Sequence, residues 1–124
     1  MPSYHVDDEL NFVKDPLTDK DLSDIANAYQ KKYFPGPSPE LEIGITAHPQ
    51  FGGTAAYAPT EKKIFIAKGL TAFEKCTRIA LLHEMIHANL HVRGLDPDPM
   101  PEHGPEFKAE VKRLMTAGAY DDLL

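Results

Sequence analysis

The chain of 124 residues contains one cysteine, Cys76. A lone thiol excludes an internal disulfide and any zinc ribbon built from cysteines, so the fold has to rest on its own core. Long apolar runs are missing too. None approaches the roughly 20 residues that a membrane-spanning helix requires. The first ten residues carry Asp7, Asp8 and Glu9 and have no basic stretch followed by an apolar one, so they do not read as a secretory signal. Positive charge is also scarce. Thirteen Lys and Arg face 19 Asp and Glu, a formal charge of -6, which repels phosphate backbones unless the basic residues gather on one face. Lys62, Lys63, Lys68, Lys75, Arg78 and Arg93 read as scattered solvated charges. No repeat or low-complexity tract interrupts residues 18–118. These absences predict one soluble, cytoplasmic, monomeric domain with no membrane partner, more suited to protein than to nucleic acid.

What is present is well punctuated. Residues 1–17 are mixed and charged and read as an irregular N-terminal arm. Thr18 or Asp19 is placed to cap a helix through Tyr33, with Leu22, Ile25, Ala26, Tyr29 and Tyr33 at helical spacing, and the prolines at 35, 37 and 39 stop it. Leu41, Ile43 and Ile45 alternate with Glu42, Gly44 and Thr46, the period of a strand with one buried face. Residues 54–58 and 63–67 read as two more strands joined as a hairpin. The expected sheet is three-stranded and mostly antiparallel.

Thr71 and Glu74 have the spacing of a capping box for a long helix reaching Arg93, with Gly94 as its stop. Phe73, Cys76, Ile79, Ala80, His83, Ile86, His87 and Leu90 fall near one face of that helix, which predicts that Cys76 is packed and that the histidines lie on the buried side. Pro97, Pro99 and Pro101 predict an extended loop. Pro105 opens a last helix with Phe107, Val111, Leu114 and Met115 on its apolar side, ended by Gly118. Residues 119–124 are left as a tail.

The chemistry sits in His83-Glu84-Met85-Ile86-His87. On a helix, His83 and His87 share a face one turn apart, so both imidazoles can reach one ion, with Glu84 beside them. The pentapeptide alone recurs by chance, but here it lies mid-helix on an apolar face, where two unpaired imidazoles are poor core material. A catalytic zinc takes three protein ligands and keeps one position for water, whose pKa falls to about 7. His91 continues the series, yet eight residues of helix rise about 12 Å, too far to share an ion held at about 2.1 Å. His103, on the returning chain, is the best third ligand, with Glu102 and Glu106 as competitors. His91, His5 and His48 read as ordinary surface or half-buried histidines. Glu84 is placed to act as the base on the attacking water. Tyr57 is a weaker candidate, as an oxyanion donor, against its plainer reading as a packed strand residue. The strand at 54–58 or that at 64–67 can receive an extended peptide by strand addition.

The stretch His83-Glu84-Met85-Ile86-His87-Ala88 together with His103-Gly104-Pro105-Glu106-Phe107 resembles the core of the SprT-like zinc metalloprotease family, which includes Spartan, a protease for DNA–protein crosslinks. The resemblance spans residues 18–118. It implies an α+β, zincin-like minimal metalloprotease core: an N-terminal helix, a small sheet, the long motif helix and a C-terminal helix. It implies Zn2+ held by His83, His87 and His103, Glu84 as the catalytic base, and Phe107 as an aromatic packed under the site. Three functions are then compared. The first is a zinc endopeptidase acting on proteins, the second a zinc-stabilised binding module without turnover, and the third a protease switched on by single-stranded DNA. Many relatives carry a cysteine zinc ribbon, for which this sequence lacks the thiols, and its acidic balance also weighs against DNA.

Overall fold

The structure is a computed structural model and describes residues 4–6, 12–47, 53–95 and 103–124. The chain starts with a two-stranded antiparallel hairpin, β1 (Tyr4–Val6) and β2 (Phe12–Lys14), where an irregular arm was expected. Ladder pairing satisfies backbone groups that a polar side-chain pattern does not reveal. The arm ends against the body: Leu17 is buried, and its N–H donates to the Thr71 carbonyl at 3.0 Å.

Helix α1 (Asp19–Tyr33) begins as expected at Thr18, with a reciprocal capping box to Asp21. The Asp21 N–H donates to Thr18 Oγ1 at 3.2 Å, and the Thr18 N–H donates to Asp21 Oδ2 at 2.9 Å. Leu22 and Ala26 are buried, with Ile25, Tyr29 and Tyr33 packed beside them.

The three-stranded sheet is formed by β3 (Glu42–Thr46), β4 (Ala55–Ala58) and β5 (Lys63–Ala67), in the order β3-β5-β4. The β4–β5 hairpin is antiparallel as expected, but β3 pairs with β5 in parallel, so the sheet is mixed. The connection over residues 47–54 is long enough to carry the chain past the central position, which β5 then fills. Ile64 and Ile66 of the central strand are fully buried.

Helix α2 (Glu74–Val92) follows a 3-10 turn over Lys68–Ala72. The expected capping box does not form. Thr71 is already coiled into that turn, its hydroxyl donating to the Lys68 carbonyl, and the helix instead starts after Phe73 with no side-chain cap. Glu74 pairs with Arg78 at 3.2 Å. The expected burial of the first turns also fails: Phe73 is 63% exposed and Cys76 is exposed. From Leu81 to Leu90, by contrast, every residue but His83 is buried, because the sheet, α1 and α3 all pack on this half of the helix. A helix apolar on all sides is a central one. It ends where expected: Gly94 takes φ +70°, and the Leu95 N–H donates to the Leu90 carbonyl at 2.8 Å.

Helix α3 (Pro105–Ala117) has Pro105 in its first turn and Gly118 in the left-handed region as its stop. Phe107 and Leu114 are buried, whereas Met115 is 52% exposed, since it sits just past the stripe that faces α2. Residues 118–123 turn back on the body: Ala119 is buried, and Tyr120 and Leu123 pack on the core. The loop expected at Pro97, Pro99 and Pro101 lies outside the described residues. No helix among the described residues is long and apolar enough to cross a membrane.

One charge cluster joins the three helices. Arg113 holds Glu110 bidentately, at 3.0 Å and 2.8 Å, and lies over the Phe34 ring at the end of α1, while Arg93 at the end of α2 reaches Glu110 at 3.6 Å. The Arg113 hydrogen bonds, reinforced by the charges of Arg113 and Arg93, hold the Glu110 carboxyl below its usual range despite burial. A depressed carboxylate stabilises the fold above its unfolded pKa, and the contribution is lost as pH falls through the lower, folded value. Glu110→Gln is therefore expected to lower stability by about 1 kcal/mol at pH 7 in urea titrations. The difference should start to shrink as pH falls below the ordinary glutamate value of about 4.3 and vanish only once pH has passed the lower, folded value.

Candidate metal centre

His83, Glu84 and His87 project from the enclosed half of α2, one helical turn separating the two histidines. His103 comes from the opposite direction, one residue before the Gly104 cap of α3. The three ring centroids are 5.2 Å (His83–His87), 4.6 Å (His83–His103) and 5.2 Å (His87–His103) apart. One nitrogen from each ring lies within 4.8 Å of the other two. Nitrogens around a tetrahedral zinc are about 3.4 Å apart, so modest side-chain torsions close the set on an ion. The donors fit.

Phe107 supports all three rings. It is buried at the first turn of α3, with its centroid 4.9 Å from His83, 4.6 Å from His87 and 4.2 Å from His103, the last in a stacked arrangement. This is the aromatic floor that the family resemblance implied. Burial, followed by the neighbouring imidazoles of His103 and His87, pushes His83 down to about 4. Its imidazole is therefore neutral at pH 7, with a lone pair to give. Glu84 is 8% exposed, and its Oε2 lies 3.9 Å from His83 Nε2, which puts the carboxylate at the edge of the cluster.

Of the competing ligands, Glu106 is exposed and outside the cluster, and Glu102 lies outside the described residues, as does His48. His91 is also outside the cluster, as helical reach requires. Its Nδ1 lies 3.2 Å from the hydroxyl of Tyr57, which is thereby brought to α2 one turn beyond His87. Sequence reasoning missed this pair, which ties β4 to the metal-site helix. It also missed a second tie. Gln30 Nε2 donates to Asn89 Oδ1 at 2.8 Å, and Asn89 Nδ2 donates back to Gln30 Oε1 at 3.0 Å and to the Met85 carbonyl at 2.8 Å. A polar residue between Ala88 and Leu90, in a stretch whose only other polar side chain is the candidate ligand His87, was the available signal. Of the two strands considered for peptide addition, β5 is central and paired on both sides, so it is ruled out, whereas β4 lies at the edge of the sheet among the described residues.

Comparison with known families adds one match, to the SprT-like family model over residues 22–122. The chain belongs to the SprT-like family. No curated protein matches it. The SprT-like match starts within α1 and ends in the turn after α3, so it takes in every element that builds the three-histidine cluster. Membership points to metallopeptidase-type chemistry at a metal-dependent site.

Metal titration checks the ligand set. The wild type should retain about one zinc or cobalt ion per chain after dialysis. His103→Ala should weaken binding by at least the roughly ten- to hundredfold that outer-shell partners are worth, with Glu106→Gln unchanged. Loss of metal in Glu106→Gln but not in His103→Ala would assign the third position to the carboxylate.

Proposed function

We propose that this chain is a zinc-dependent endopeptidase that hydrolyses peptide bonds in flexible segments of cytoplasmic proteins, acting as a monomer. The observation that carries this reading is the buried carboxylate of Glu84 set against three convergent imidazoles. A cluster that only braced the fold would have no use for a base held beside its metal position.

His83, His87 and His103 would hold the zinc through neutral imidazoles. Zinc supplies Lewis acidity there, lowering the pKa of a water to about 7 and polarising a carbonyl. Glu84 takes the proton of the attacking water and passes it to the departing amine nitrogen. Its low exposure limits competing bulk water and keeps the carboxylate aimed at the cluster. The edge of β4 gives an extended substrate main-chain partners, and the Tyr57–His91 contact keeps that strand seated on α2. Tyr57 is thus assigned to positioning. A formal charge of -6 makes a protein, rather than DNA alone, the expected partner, and DNA-linked proteolysis would require a local basic groove.

Glu84→Gln tests the reading. It should keep its metal and lose about 10²- to 10⁴-fold in the rate of cleaving an unfolded protein, followed by mass spectrometry. Chelation should abolish wild-type cleavage, and zinc should restore it. Equal behaviour of wild type and Glu84→Gln towards every protein offered would make the site a structural clasp in a binding module.

A further inference from the structure

The first half of α2 leaves unexplained an apolar stripe that the core does not use. Cys76, Ile79, Ala80 and His83 recur at i, i+3, i+4 and i+7, the spacing of one helix face, yet Cys76 is exposed and Ile79 and Ala80 are only half-buried. They line a cleft of about 600 Å³. Leu70 from the 3-10 turn and Ala55 at the start of β4 complete its walls, and His83 and Glu84 stand at one end. The volume falls within the roughly 300–1,000 Å³ of built ligand sites, and apart from the metal-site pair and Thr54 its walls are apolar.

We infer that this cleft selects substrates that carry a large apolar side chain, such as leucine, methionine or phenylalanine, next to the bond to be cut. The inference rests on the peptidase reading and names the specificity of that same site. A segment laid along the β4 edge alternates its side chains, so one side chain enters the cleft while its neighbours point away. Ala55 lies at the start of that edge strand, and His83 and Glu84 belong both to the cleft and to the metal centre, so the entering side chain is within a residue or two of the reacting carbonyl. From His83 back to Cys76 the helix extends about 10 Å, enough depth for one long side chain. Ala80 sets the width. A larger residue there would fill the space that the side chain needs. A charged side chain would be desolvated among Leu70, Ile79 and Ala80 with no partner on those walls, which disfavours it.

The test uses three unstructured peptides that differ only at one central position, Ala, Asp or Phe, and the metal-loaded full chain. Wild type should cleave beside Phe about ten- to a hundredfold faster than beside Ala or Asp, the factor expected for burying one large apolar side chain. Ala80→Phe should cut that Phe-to-Ala ratio at least tenfold. A second readout needs no turnover and leaves the apolar walls of the cleft unsubstituted: alkylation of Cys76, the one cysteine in the chain, by iodoacetamide in Glu84→Gln. Saturating Phe peptide should slow that alkylation about tenfold, and Ala peptide should not. Cleavage that ignores the central residue, with Cys76 unprotected, overturns the cleft and leaves the peptidase standing. Absence of cleavage with Cys76 protected by the Phe peptide overturns the peptidase and leaves the cleft. Absence of both overturns both.

Discussion

Enclosure of the second half of α2 is the constraint on which the rest of the molecule depends. Between Leu81 and Leu90 the helix is covered by the sheet on one side and by α1 and α3 on the others, with only His83 half-open. Burial of this stretch contributes six apolar side chains to the core, and it takes the His87 imidazole out of water and partly desolvates that of His83. His83 is accordingly pushed down to about 4 and stays neutral. The same packing that stabilises the fold prepares the donors.

Three ties keep the enclosing elements in register. The Gln30–Asn89 amide pair fixes α1 on α2 within the turn that follows His87. Tyr57 and His91 fix the edge strand one turn further on. Glu110, between Arg113 and Arg93, joins the end of α2 to α3, the helix that carries Phe107 and leads back to His103. Each tie is polar, whereas the core that the elements share is apolar. Apolar burial alone tolerates sliding, and directional hydrogen bonds do not.

The two halves of α2 perform different tasks. The second half is packed on all sides and holds His83, Glu84 and His87, whereas the first half leaves Cys76, Ile79 and Ala80 along an open cleft that leads to them. A helix with one rigid half and one half-exposed half presents a fixed centre to a groove that an incoming chain can fill. This explains why Cys76, placed by its spacing among core residues, is exposed: the face is apolar as expected, but none of the described elements covers it there.

Much of this was legible in the sequence, because helix period, caps and turn glycines are local. The boundaries of α1, the stops at Gly94 and Gly118 and the pairing of the 55–58 and 63–67 strands follow from neighbours a few residues apart. The placing of His83, Glu84 and His87 on one stretch of helix is equally local, since it needs only the 3.6-residue repeat. What the sequence alone determined was therefore the donor set on α2 and the elements around it. The tertiary structure decided that β5 is central and β4 lies at the edge, that Thr71 belongs to a 3-10 turn and not to a cap, that His103 closes on the α2 pair over Phe107, and that the first half of α2 stays open. Those outcomes depend on contacts between residues tens of positions apart, and the pattern along one element does not specify which distant surface will cover it.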